Sequence, residues 1–119
     1  MFTLLSTSDT DLLSARASGA DWRLGNPARL DDAGIAALAD GSDLVVVRIL
    51  GVRRQYEEML APLLAGPAPV VVLGGEALPD AELMELSTVP MGVATEAHGY
   101  LAQGGPDNLV QLHRFLSDT

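Results

Sequence analysis

Three stretches of the chain are apolar without alternation. They are Phe2-Thr3-Leu4-Leu5-Ser6, Asp43-Leu44-Val45-Val46-Val47-Arg48-Ile49-Leu50-Gly51 and Pro69-Val70-Val71-Val72-Leu73-Gly74-Gly75. Each is short, rich in branched side chains and closed by polar residues or glycine. Such runs read as strands buried on both faces, the mark of a parallel sheet covered by helices. The longest, around Val45 to Val47, is the centre on which the other elements are arranged. A fourth, shorter segment, Asp21-Trp22-Arg23-Leu24, alternates polar and apolar as an edge strand does, and Gly25-Asn26-Pro27 breaks it.

Helical periodicity fills the gaps. After the first strand comes a polar loop, Thr7-Ser8-Asp9-Thr10-Asp11, with Asp9 or Thr10 expected to cap a short helix through Leu12, Leu13 and Ala17. Asp31 or Asp32 caps a second helix with Ile35 and Leu38 on its apolar stripe. Asp40-Gly41 ends it, glycine taking the left-handed position. Val52, Tyr56, Met59, Leu60 and Leu63 recur at the 3.6-residue period and predict a third helix over Val52 to Ala65, kinked or shortened by Pro62 and stopped by Gly66-Pro67. Pro79-Asp80 opens a helical piece carrying Leu83, Met84 and Leu86. Ser87 to Pro90 is either a fifth strand or an extended connector. Val93, Ala97, Tyr100 and Leu101 mark a helix ending at Gly104-Gly105. Pro106 then starts a last helix with the stripe Leu109, Leu112, Phe115 and Leu116.

Strands alternating with helices imply a parallel sheet with right-handed crossovers and helices on both faces. The expected architecture is a flavodoxin-like α/β sandwich of four or five strands, in the order 2-1-3-4. A chain of 119 residues forms one domain of this kind. Its end at Ser117-Asp118-Thr119, directly after a helix, suggests one segment of a much longer protein.

Composition narrows the chemistry. The net charge is −9, and all seven basic residues are arginine. An acidic surface with scattered arginines repels phosphate backbones, so nucleic acid is excluded as a partner. Without lysine there is neither a Walker lysine nor a Schiff base. Without cysteine there is neither a disulfide nor a thiolate metal site, which fits a cytoplasmic protein. No apolar run approaches the ~18–20 residues of a membrane span, and no secretory leader follows Met1.

In this architecture ligands sit at the carboxyl ends of the strands. That edge gathers Ser6 to Asp11, Arg48 to Gly51 and Gly74 to Glu76, so the candidate binding residues are Ser6, Thr7, Ser8, Arg48, Gly51, Gly74, Gly75 and Glu76. Hydroxyls and amides at a helix start can hold an anion, as flavodoxin holds its flavin phosphate. Here Asp9 and Asp11 oppose a phosphate, and helix capping explains the same residues. Asp9-x-Asp11 has the spacing to share a magnesium ion but lacks a marked third ligand. A phosphoacceptor receiver needs an aspartate after the third strand and a later lysine; Arg48 and the absence of lysine exclude it. Arg48, charged at the end of a buried strand, needs a partner. A substrate carboxylate fits its planar fork, and so do Asp9 and Glu76 across neighbouring strand ends. Gly74-Gly75 allows a tight turn or a close approach, and Glu76 is an available acid or base. His98 and His113 lie on different helices without metal-ligand spacing and read as packing or surface residues.

Four stretches taken together carry a resemblance: Leu4 to Leu12, Asp43 to Gly51, Val71 to Glu76, and Tyr100-Leu101-Ala102-Gln103-Gly104-Gly105-Pro106-Asp107-Asn108-Leu109. In order and spacing they resemble the N-terminal part of the large subunit of aerobic cobaltochelatase, in the CobN and magnesium-chelatase H family. The resemblance covers essentially the whole chain, and Gly104 to Leu109, followed by Leu112 and Phe115-Leu116, is its most telling part. It implies a ligase-type parent enzyme whose large subunit binds a tetrapyrrole and inserts cobalt(II) into hydrogenobyrinic acid a,c-diamide during cobalamin synthesis. It implies that ATP-Mg is hydrolysed by a separate AAA+ motor subunit with its own partner. It implies that this segment is one small domain packed on the rest of the large subunit, with no cofactor and no catalytic residue of its own. The alternatives are a stand-alone flavin- or nucleotide-binding module and a docking scaffold.

Overall fold

A computed structural model of the chain describes residues 1–50, 57–76 and 78–119. Four strands, β1 (Phe2–Ser6), β2 (Trp22–Gly25), β3 (Leu44–Ile49) and β4 (Val70–Gly74), pair in the order β2-β1-β3-β4, all parallel. Leu4 lies opposite both Leu24 and Val46, and Val46 opposite Val71. The flavodoxin-like order read from the sequence is the order found. Helices α1 (Asp9–Ala17), α2 (Asp32–Ala39), α3 (Glu57–Ala65), α4 (Ala81–Met84), α5 (Met91–Gln103) and α6 (Pro106–Ser117) complete the described chain.

Alternation along the strands divides the interior into two cores. Phe2, Leu4, Leu44, Val46, Val71 and Leu73 face α1, α5 and α6, where Ala15, Ala94, Ala97, Leu101, Leu109, Leu112 and Leu116 meet them. Leu5, Val45, Val47, Ile49, Val70 and Val72 face Ile35 of α2 and Met59 and Leu60 of α3. Burying each such side chain contributes roughly 1.5–3 kcal/mol. Both faces of the central strands are therefore apolar, which is why their sequence shows runs and not alternation.

The first helix departs from its expected form. Ser8 caps it, its hydroxyl accepting from the Asp11 amide, and Asp9 is already helical. Its inward face carries Asp11 and Ala15, one turn apart, while Leu13 is 65% exposed. Of the residues on which this helix was expected, Leu12 is half-buried, while Leu13 and Ala17 lie on the outer face. Asp31 caps α2, and Gly41 (φ 76°) turns the chain into β3. Pro62 lies inside α3, which runs on to Ala65. The residues expected to begin that helix, including Val52 and Tyr56, lie outside the described residues.

Ser87 to Pro90 is a connector and not a strand. It still seals the β4 edge. The Val70 amide donates to Thr88 Oγ1 at 2.8 Å and the Val72 amide to Ser87 Oγ at 2.7 Å, while the Thr88 amide donates to the Val70 carbonyl at 2.8 Å. Side-chain oxygens replace the ladder that a fifth strand would have supplied. Gly104 and Gly105, both with positive φ (71° and 88°), let α5 turn directly into α6, where Pro106 takes the first position.

Candidate functional site at the carboxyl edge of the sheet

The described residues that follow β1, β3 and β4, Thr7 and Ser8, Leu50, and Gly75 and Glu76, lie at one edge, as the strand order requires. The central feature there is a buried ion pair. Arg48 comes from the last turn-inward position of β3 and Asp11 from the first turn of α1; their side chains are 8% and 6% exposed. Arg48 Nη1 lies 2.9 and 3.0 Å from the two Asp11 oxygens and donates also to the Leu101 carbonyl at 3.1 Å. Its Nε donates to the Gly74 carbonyl at 3.2 Å and its Nη2 to the Gly75 carbonyl at 3.3 Å. Ser6 Oγ donates to Asp11 Oδ2 at 2.8 Å and accepts from the Ser8 amide at 3.1 Å. A buried charge is tolerated when it is paired and hydrogen-bonded, and here the guanidinium meets a carboxylate and donates through all three of its nitrogens. Helix dipoles assist: Asp11 lies at the start of α1 and Arg48 reaches a carbonyl in the last turn of α5.

The sequence had offered Asp9 or Glu76 as the protein partner of Arg48. The structure gives Asp11 instead. Asp9 points outward, where Arg29 holds it with Nη1 and Nη2 at 2.9 and 2.6 Å and Asn26 Nδ2 donates at 3.3 Å. The Arg29 hydrogen bonds, then that of Asn26, hold the Asp9 carboxyl below its ordinary pKa against a small opposing effect of desolvation. Asp9 and Asp11 thus diverge to different cations. Among the described residues, no three His, Asp or Glu side chains converge as a metal site.

The glycine loop after β4 is built tightly. A Cβ on Gly74 would stand 2.8 Å from Asp80 Cβ, and one on Gly75 would stand 2.8 Å from Leu50 Cβ and 3.0 Å from Leu50 backbone atoms. The close approach expected of these glycines is therefore made to the protein itself. Buried His98 of α5 adds a third grip: its Nε2 lies 2.9 Å from the Glu76 carbonyl and donates to it. Three successive carbonyls, of Gly74, Gly75 and Glu76, are thus held by side chains of β3 and α5. Thr7 closes the neighbouring gap, with its amide on the Arg48 carbonyl at 3.2 Å and its Oγ1 accepting from Leu50 at 2.9 Å.

Of the expected binding residues, Ser6, Arg48 and Gly74 are buried, Thr7, Ser8 and Gly75 are half-buried, and Glu76 is exposed. Gly51 lies outside the described residues. The edge brings the other seven together, but Ser6 and Arg48 face inward to Asp11. Asp11 and His98 were not among the expected site residues. Asp11 could have been found from its spacing: it stands one turn before Ala15, the one small residue on the inner face of α1. His98 shares a face with Ala94, Ala97 and Leu101, which marks it as buried, but no local pattern names the carbonyl it meets.

Searches for relatives give one informative result. No family model matches the chain, and no curated protein matches it. Among solved structures, the catalytic subunit of cobaltochelatase from Mycobacterium tuberculosis is similar over 99% of this chain, at 50% sequence identity and a TM-score of 0.95. The chain spans 10% of the length of that subunit. The match meets the resemblance carried by the four stretches of the sequence.

Proposed function

We propose that this chain, a relative of the cobaltochelatase catalytic subunit over nearly its whole length, is a non-catalytic head domain of such a large subunit. In this reading the parent enzyme works in the cytoplasm and inserts cobalt(II) into hydrogenobyrinic acid a,c-diamide during cobalamin synthesis. A separate AAA+ motor and its partner subunit hydrolyse ATP-Mg to drive the insertion. The observation that carries the reading is identity at half of the positions together with a TM-score of 0.95 over 99% of this chain.

The carboxyl edge supports a scaffolding role over a catalytic one. Its strongest cation, Arg48, already meets Asp11 and three carbonyls, so it has little left to offer a substrate carboxylate. Thr7, Ser8, Gly75 and Glu76 are the expected residues that still reach solvent there. An acidic corrinoid meets Glu76 and the ion-paired Asp9 at that surface, an arrangement that does not favour tight binding. A flavin phosphate meets the same obstacle, because Asp11 takes the anion position at the start of α1.

The test is cobalt insertion by the full-length large subunit with its motor partners, with and without residues 1–119. The reading expects insertion by the intact subunit, a lower rate without the domain, and none from the 119-residue chain. An intact subunit that inserts no cobalt overturns the chelatase assignment. Cobalt insertion by the isolated chain overturns the non-catalytic one.

A further inference from the structure

The opposite edge of the sheet is unlike the one just described. At the amino ends of the strands a groove of about 500 Å³ opens between Phe2, Leu44, Val89, Val93, His113 and Leu116. Its walls are mostly apolar, interrupted by Asp43, His113, Ser117 and Thr119. His113, which lines it, has a buried Nε2 without a hydrogen-bond partner among the described residues; Trp22, which packs behind His113 and does not line the groove, has an Nε1 in the same state. The two rings stand edge to face at 5.3 Å, and His113 also packs on Phe2 at 4.7 Å. An unmet polar atom costs ~1–3 kcal/mol when buried, and native interiors keep few of them. At the rim, the amino group of Met1 is ion-paired with Asp43.

We propose that this groove is the seat on which the rest of the large subunit packs, through an apolar segment that brings a carbonyl or carboxylate to the His113 nitrogen. The inference rests on the reading of the domain as part of such a subunit. Three observations select this occupant. The related subunit has nine-tenths of its length outside this fold, so a large covering mass is available. Ser117 and Thr119 line the groove, so a subunit running on past α6 leaves the domain beside it. The chemistry also fits packed polypeptide: mostly apolar walls with one isolated ring nitrogen suit a peptide segment, whose own backbone carries polar groups at regular intervals. At the carboxyl edge, by contrast, no buried side-chain nitrogen or oxygen of the described residues lacks a partner.

Hydrogen exchange on the full-length subunit, compared with the 119-residue chain, tests the proposal. Peptides covering Asp43-Leu44 and Val89 to Val93 are the readout, since they lie away from the chain ends. They are expected to exchange about tenfold or more slowly in the full subunit. Val93→Asp, which places a carboxylate in a half-buried wall position, is expected to abolish that difference while Gly74 to Glu76 exchange as before. His113→Phe keeps the ring and removes the nitrogens; it is expected to lower the protection without unfolding the chain. Equal exchange in the short chain and the full subunit overturns the proposal. So does protection that rises with concentration of the short chain alone, which marks a self-association face, or protection that appears only with added corrinoid. Loss of cobalt insertion with protection intact tells against the enzymatic reading and leaves the docking surface standing.

Discussion

The two ends of the sheet differ in how their polar groups are met. At the carboxyl end, Arg48, Asp11, Ser6, His98 and the carbonyls of Gly74, Gly75, Glu76 and Leu101 form one connected network. At the amino end, a mostly apolar groove is lined by His113, whose Nε2 has no partner among the described residues, and the Nε1 of Trp22 behind it has none either. In flavodoxin-like folds the carboxyl end is the usual place for a ligand. Among the described residues, that place is occupied by the protein's own side chains, and the buried side-chain atoms without partners lie toward the other end. The difference teaches that a fold's customary site is a starting expectation. What identifies a binding surface is the set of groups left unsatisfied.

The comparison is broken most severely by cutting the ion pair. Arg48→Ala or Asp11→Ala leaves a buried, unpaired charge and is expected to cost about 3–5 kcal/mol in denaturant unfolding. Replacing both together, Arg48→Met with Asp11→Leu, should recover a large part of that loss. A single substitution that unfolds at the wild-type midpoint would contradict the assignment of Arg48 to the fold.

Next in size is the glycine loop. Gly75→Ala drives a methyl group to within 3 Å of Leu50 backbone atoms, which cannot swing aside as a side-chain tip can. An overpacking loss of about 1–3 kcal/mol is expected, measured by thermal unfolding. An unchanged melting temperature would show that the loop is looser than its three held carbonyls imply.

Polar truncation sharpens the contrast between the ends. Ser6→Ala removes a hydroxyl that both donates to Asp11 and accepts from Ser8, and should cost about 1–3 kcal/mol. His113→Phe removes an unpartnered nitrogen and should leave the 119-residue chain within about 0.5 kcal/mol of wild type, or more stable. Equal losses at both sites in unfolding experiments would erase the distinction.

The smallest effect concerns Asp9. Its carboxyl titrates below the ordinary range because Arg29 bonds to the ionised form. A lowered folded value means that this contribution to stability is complete above the unfolded pKa and is lost as the pH falls through the folded one. Arg29→Ala should raise the Asp9 titration midpoint toward the ordinary carboxylate value in NMR, with little change in stability, since the pair is exposed. A midpoint that does not move would assign the shift to Asn26.

Much of this fold was legible because its signals are local. The unbroken runs at Phe2, Leu44 and Val70 can be strands only if both faces are covered, and the turn glycines Gly41 and Gly104 sit where helices must end. The site was less legible because its bonds are not local. Arg48 announces that it needs a partner, but Asp11 stands 37 positions away and competes in sequence with Asp9, two residues earlier. Only the phase of α1 against the sheet decides between them, and Leu13, the more hydrophobic residue, points to the wrong phase. The sealing of β4 by Ser87 and Thr88 was hidden for a similar reason. Hydroxyls that replace a strand leave no hydrophobic period. The groove at the amino end left no mark at all in the sequence, because it is assembled from scattered residues of β1, β3, α5, α6, three connectors and the two chain ends.

The central claim is that this domain supports a cobaltochelatase subunit as a scaffold, with its carboxyl edge committed to the fold. Titration of the 119-residue chain with hydrogenobyrinic acid a,c-diamide, followed by Trp22 fluorescence and corrinoid absorbance beside the full-length subunit, tests it most directly. The account predicts saturable binding by the full subunit and none by the isolated chain. Saturable binding by the isolated chain, weakened by substitution of Thr7, Ser8 or Glu76, would contradict it and make the carboxyl edge part of the substrate cradle.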